Sequence, residues 1–209
     1  MAFHNVRAHT LHIPPSKKHP EGQVVTRREH CADNSSHKDV LSYDEIQAIT
    51  KAHFSDLAGL PKAGVLKKFS KADEFDQYIG GWVRYWNEVF HSKELLDPNL
   101  VKALIASESS FDSEKSTRQN TPEKNKKLGY ARGLMQIIDS TLTIIGDHKG
   151  EIKDHFIFLT HAEIMDPSAN ICTGVRWLFM KKATAAERLR HVATWDDAVA
   201  EYKGIFAQL

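Results

Sequence analysis

The chain has 209 residues, 41% hydrophobic and 26% charged, the balance of a soluble globular protein with one proper core and some appendages. A formal net charge of +1 excludes an overall electrostatic footprint for nucleic acid or an anionic membrane, so any basic patch has to be local. The sequence holds no apolar run of about 18 residues, which excludes a spanning helix and hence an integral membrane segment.

Residues 1–40 are polar, rich in His, Lys and Arg, and broken by Pro14-Pro15 and Pro20, and they read as an irregular, flexible arm. Six histidines fall there, at positions 4, 9, 12, 19, 30 and 37, with no spacing that builds a compact metal site, so they are expected to be incidental surface residues. The two cysteines, Cys31 and Cys172, are far apart and likewise show no metal spacing; two free thiols are expected. Ser42-Tyr-Asp-Glu45 is a capping box that opens a helix to about Ala58, stopped by Gly59-Leu60-Pro61. Residues 72–91 carry Phe75, Tyr78, Ile79, Trp82, Val83, Trp86, Val89 and Phe90 at helical spacing. Such a stripe could stack on a saccharide, but core packing is the commoner use and the one expected. This region, 41–94, is expected to pack on a domain spanning 95–209.

Asp97-Pro98 then caps a helix in which Leu100, Val101, Leu104, Ile105 and Phe111 form a core-facing stripe. Glu108 lies on that stripe, seven residues after Val101, four after Leu104 and three before Phe111. A carboxylate placed so is costly to bury ionised and is expected to keep its proton. A protonated carboxyl near neutral pH is what a glycosidase needs in order to protonate a leaving oxygen. The competing reading is a surface glutamate that tips into solvent at the helix end. Residues 112–130 are polar and charged, a long loop or a small β-hairpin whose lysines and arginine are either solvated or hold an anionic ligand. A helix follows near Ser140–Ile145, ended by Gly146. Asp166-Pro167 starts another over roughly 167–182, Ala183–His191 suggests a short one, and Thr194-Trp-Asp-Asp197 caps the last. The sum is a mainly α fold with at most a small β-hairpin.

Four segments stand in order: Ala106-Ser-Glu-Ser-Ser-Phe-Asp112; Gly133-Leu-Met-Gln-Ile137; Asp166-Pro-Ser-Ala-Asn-Ile171 with Gly174-Val-Arg-Trp-Leu178; and Ala198-Val-Ala-Glu-Tyr-Lys203. Together they resemble the catalytic domain of the soluble lytic transglycosylases, in the lysozyme-like superfamily that also holds goose-type lysozymes. The resemblance spans about residues 95–205. It implies a lysozyme-like helical domain with Glu108 as the single acid/base and Ser109 orienting substrate or water. It also implies that Gly133, Leu134, Met135 and Gln136 line the saccharide cleft, that Asn170 contributes to substrate binding, and that the Tyr202 hydroxyl approaches the catalytic carboxyl. Three departures stand out. Asp139 occupies a position where a proline is usual, Lys203 one where an asparagine is usual, and the connection from Glu108 to Gly133 is longer than the family's.

The implied reaction is cleavage of the β-1,4 bond between N-acetylmuramic acid (MurNAc) and N-acetylglucosamine (GlcNAc) in peptidoglycan glycan strands, closing a 1,6-anhydro ring on the muramyl residue. It needs no metal or cofactor, and no second carboxylate if the 2-acetamido group steadies the cation, unlike the two-carboxylate scheme. The alternative is a hydrolytic muramidase with a second carboxylate to hold water, for which Glu123 is the first candidate and Asp112, Glu114 and Asp139 are others. A non-catalytic peptidoglycan-binding module is the third reading. The N-terminus lacks the basic start and apolar stretch of a secretory signal, so delivery to the periplasm or wall is expected through a dedicated machine, such as a type VI secretion apparatus, or from a phage. An antibacterial effector of that kind would pair with a cognate inhibitor protein.

Overall fold

The structure, a computed structural model, describes residues 3–6, 9–13, 23–27, 30–33, 40–62, 64–118, 129–147, 149–152 and 154–205. Where an irregular arm is expected, it has strands: β1 (Phe3–Val6), β2 (His9–Ile13), β3 (Gln23–Arg27) and β4 (His30–Asp33). β1 pairs antiparallel with β4, and β2 with β3 inside it. The register sets Thr10 opposite Thr26, Leu11 opposite Val25 and His12 opposite Val24. Those β-branched and apolar residues favour pairing, a signal that the surrounding His, Lys and Pro dilute in composition. β2 lies against the first helix.

β5 (Val40–Ser42) leads into α1 (Tyr43–His53) through the expected capping box. The Ser42 hydroxyl accepts from the Glu45 N–H at 3.4 Å, and the Glu45 carboxylate accepts from the Ser42 N–H at 3.0 Å. α1 stops at His53, short of Ala58. In α2 (Asp76–Val89) the tryptophans belong to the core. Trp82 and Trp86 are 0% exposed, and their indole N–H groups donate to Ser168 Oγ (2.8 Å) and the Cys172 carbonyl (3.0 Å). Buried indoles need such partners, and a sugar has no access to them.

α3 (Pro98–Ser109) has the cap read from sequence, with Asp97 Oδ1 accepting from the Asn99 N–H at 2.8 Å. Its stripe buries Val101, Leu104 and Ile105. It also buries Lys102 completely, which the apolar pattern did not single out; the ammonium pairs with Asp73 at 2.7 Å and Asp76 at 2.9 Å. A small antiparallel sheet follows, β6 (Ser116–Arg118), β7 (Tyr130–Arg132) and β8 (Ile137–Ile138) in that order. The strands exceed the one hairpin expected, because a two-residue strand such as β8 leaves no alternation to read. α4 (Asp139–Gly146) follows, and β9 (Phe156–Phe158) pairs in parallel with β5.

α5 (Pro167–Leu189) runs 23 residues, so the break expected after 182 is absent. Ala183-Thr-Ala-Ala-Glu-Arg-Leu189 contains no breaker and mostly strong helix formers, and the helix ends only where Arg190 turns left-handed at φ 58°. α6 (Trp195–Tyr202), capped by Thr194, packs back on α5. One hydrophobic cluster runs from Leu41 to Ala198, so the helices before residue 95 and those after it share a core. Ser168 near the start of α5 ties them further, meeting Thr50 Oγ1 of α1 at 2.6 Å as well as Trp82. Cys172 is a free, buried thiol, and that burial pushes its pKa well up. No described helix is long and apolar enough to cross a membrane.

Candidate active site

Glu108 sits in the last turn of α3. The chain leaves that helix through two left-handed residues, Ser110 (φ 55°) and Phe111 (φ 65°). Non-glycine residues adopt that conformation only when neighbours hold them there. Here the Ser110 N–H donates to the Ala106 carbonyl at 3.1 Å, and the buried Phe111 ring packs edge-on against Phe69, centroids 5.7 Å apart. The exit turn therefore aims Glu108 away from the core that the rest of its stripe enters. Its side chain is 20% exposed, and its Oε1 accepts from Lys203 Nζ at 2.9 Å. An apolar niche around the carboxyl was expected; the residue beside it is instead an ammonium from the end of α6.

Lys115 holds the site from the other side. Its Nζ donates to the Glu108 carbonyl at 2.5 Å, at the end of α3 where helix carbonyls lack partners and cations are favoured. Its own carbonyl accepts from the Gly133 N–H (2.8 Å) and from Gln136 Nε2 (3.2 Å). One residue thus joins the Glu108 turn to the Gly133–Gln136 loop. Neither Lys115 nor its bridging role was singled out from sequence, since both of its partners in that loop are distant along the chain.

Asn170 fixes the loop from beneath. Its Oδ1 accepts from the Met135 N–H at 2.8 Å, and its Nδ2 donates to the Arg132 and Ile164 carbonyls, both at 2.9 Å. Fully buried and so engaged, Asn170 positions the loop and does not touch a glycan, a correction to its expected role. Gly133 is also placed differently from expectation. It is buried with φ +69°, and a Cβ there would lie 2.4 Å from Asn170 Nδ2, so the glycine serves the close fit to Asn170 and not the approach of a sugar. Leu134 and Met135 are 0% exposed and belong to the core, not to a cleft wall. Gly174 of α5 makes room for Met135, whose Sδ would lie 2.2 Å from an added Cβ. Ser109 is buried, with its hydroxyl bonded back to the Ile105 carbonyl at 3.2 Å, so it faces the helix and not a substrate.

Gln136 is partly exposed, left-handed at φ 49°, and donates through Nε2 to the Gly133 carbonyl at 2.8 Å. Its Oε1 is the face it can offer to a sugar hydroxyl. The Tyr202 hydroxyl donates to the Met135 carbonyl at 2.6 Å. Burial pushes this phenol well above its ordinary pKa, and the nearby Glu108 carboxylate pushes it the same way. Tyr202 therefore stands near the carboxyl, as expected, but is anchored to the loop.

The other candidate acids have different surroundings. Asp139 takes Arg132 Nε at 2.7 Å and the Tyr130 N–H at 2.9 Å. Burial disfavours its charge, but Arg132, the Tyr130 N–H and His161 outweigh that and hold its carboxyl below the usual range. Asp139 thus braces the small sheet. Asp112 and Glu114 are exposed, and Glu123 lies outside the described residues. Glu201, beside Tyr202, is buried and held by Arg188 at 3.1 Å.

A mainly helical domain that presents one partly exposed glutamate at the end of a buried helix, beside a loop bolted to a long helix by an asparagine, has the make-up of a lysozyme-like domain. Residues 85–206 match the family model described as Transglycosylase SLT domain, and the chain belongs to that family. Membership makes it a transglycosylase directed at peptidoglycan. Comparison with curated proteins and with solved structures returns no match.

Proposed function

We propose that the protein is a lytic transglycosylase that cuts the MurNAc-β-1,4-GlcNAc bond with Glu108 as its one acid and base. The supporting observation is the placement of Glu108, partly exposed at the end of α3, while Asp139 and Glu201 are held in structural ion pairs. In its protonated form Glu108 gives its proton to the glycosidic oxygen, and the bond from that oxygen to the muramyl C1 breaks. The 2-acetamido group of the same sugar stabilises the cation as it develops. The muramyl 6-hydroxyl oxygen then bonds to C1, and its proton passes to the Glu108 carboxylate, restoring the acid. The products are a new GlcNAc end and a 1,6-anhydroMurNAc end, with no water consumed. Tyr202 and Asn170 contribute by fixing the Met135 backbone, and with it the Gln136 amide that faces the sugar.

Mass spectrometry of products from purified peptidoglycan tests this reading. Wild type is expected to yield anhydromuropeptides. Glu108→Gln, which keeps the shape but has no proton to give, is expected to lose roughly 10²–10⁴-fold in rate. Reducing ends from the wild type would overturn the transglycosylase and send the search for a second carboxylate to Glu123. Binding without cleavage by both proteins would leave a glycan-binding module.

We also propose that the enzyme acts in the periplasm or wall after delivery by a secretion machine or phage, with residues 1–95 as the docking part. Removal of residues 1–40 is expected to abolish delivery while sparing cleavage in vitro. Loss of cleavage would place those residues in the enzyme itself.

A further inference from the structure

Lys203 occupies the position where the family resemblance expects an asparagine, and it makes a contact with a full charge. Its Nζ lies 2.9 Å from Glu108 Oε1, with 32% of the lysine side chain and 20% of the glutamate side chain exposed. A carboxyl cannot hand over a proton from an oxygen whose lone pair is occupied by an ammonium. The pair therefore has to be exchanged when the glycan enters. Once bound sugar shields the site from water, an ammonium left without an anion is disfavoured.

The neighbouring groups do not supply that anion. Glu201, the acid nearest in sequence, is engaged by Arg188 and lies 3.9 Å from Lys181. The other ammonium at the site, Lys115, is bonded to the Glu108 carbonyl. The substrate has to bring the anion. The muramyl residue carries a 3-O-lactyl arm on a ring carbon two positions from the C1 that is attacked. When no stem peptide is attached, that arm ends in a carboxylate. When a peptide is attached, the same carbon is a neutral amide, and the remaining carboxylates lie farther out along the peptide.

We propose that Lys203 is a specificity-determining residue that leaves Glu108 to receive a carboxylate borne by the muramyl residue at the scissile bond, so that strands with a free lactyl carboxylate are the preferred substrate. The inference rests on the reading of Glu108 as the acid/base. It places the enzyme after a reaction of one class, hydrolysis of the amide between the lactyl group and the stem peptide.

The test uses the full chain and three glycans: peptide-free strands, the same strands with their lactyl carboxyls converted to methylamides, and peptide-bearing strands. kcat/KM is read from the release of new chain ends. Wild type is expected to favour the free carboxylate over the methylamide by at least about fivefold, the worth of one partly exposed ion pair. Lys203→Met and Lys203→Asn are expected to bring that ratio close to one, and Lys203→Arg to keep it. The ratio is insensitive to partial unfolding, because both substrates meet the same folded fraction. Equal rates with wild type, or a ratio unchanged in Lys203→Met, would overturn the proposal. Preference for peptide-bearing strands that disappears in Lys203→Met would overturn the lactyl assignment and move the carboxylate to the stem peptide. Absence of any cleavage by wild type would instead overturn the reading of Glu108, which the other outcomes leave standing.

Discussion

Tyr202 has two relations that an alignment of motifs merges into one. Its hydroxyl donates to the Met135 carbonyl, while Glu108 acts on it through space. Tyr202→Phe keeps the ring and strands that carbonyl, so it is expected to cost about 1–3 kcal/mol of stability, measured by denaturant unfolding. The raised pKa sets how this cost varies with pH. A phenol whose pKa is higher folded than unfolded contributes fully below the unfolded value of about 10 and loses that contribution as pH rises through the folded value. The gap between wild type and Tyr202→Phe is therefore expected to be constant through neutral pH and to narrow above about pH 10. Glu108 itself was legible in the sequence because a carboxylate broke an apolar helical pattern. Lys203 was legible only as a departure. Its contact with Glu108 joins two helix ends 95 residues apart, which no local periodicity encodes.

At the scale of elements, the Gly133–Gln136 loop is the piece whose sequence was recognised and whose chemistry was misassigned. The motif gathered the right residues, but a motif does not say which atoms face inward. Asn170, Gly133 and Gly174 form one joint between this loop and α5, with a hydrogen-bonded amide at one contact and a missing Cβ at the other two. Gly174→Ala drives a methyl into Met135 and is expected to cost about 1–3 kcal/mol by overpacking. Asn170→Ala leaves the Met135 N–H and two carbonyls without their partner, and about 2–4 kcal/mol is expected. Both variants should also slow cleavage at temperatures where they remain folded, because the loop carries Gln136 and receives Tyr202. Unchanged kcat in the folded variants would separate the joint from the chemistry. The helices were readable from caps and stripes. The extension of α5 past 182 was not, since continued helix there depends on propensity alone with no stop signal to mark its end. The strands before residue 40 were missed because their alternation is short and mixed with His and Lys.

At the scale of the molecule, the family match and the physical unit have different limits. The match begins at residue 85, inside α2, whereas the core continues back to Leu41. A polypeptide of residues 85–206 would lack Phe75, Ile79 and Trp82 and would leave Ser168 without its indole and threonine partners. It is expected to show no cooperative thermal transition, while residues 40–209 retain one; a sharp calorimetric peak from the shorter piece would contradict the shared core. The mainly α class followed from patterning, which reports each helix separately. That the regions on either side of residue 95 are one core did not follow, because shared burial is a property of contacts between stripes and not of any stripe alone.

The small sheet has a consequence for how the enzyme can vary. Arg118 and Tyr130 are paired across β6 and β7, so residues 119–128 leave and re-enter the domain at neighbouring points. Closing such a loop becomes harder only slowly as it lengthens. The Glu108 turn, joined to Lys115 and through it to Gly133, lies behind that doorway and needs nothing from beyond it. The doorway is thus a graft point, an interchangeable cassette at which peptides of different length and charge can be spliced into the chain while the catalytic framework stays unaltered.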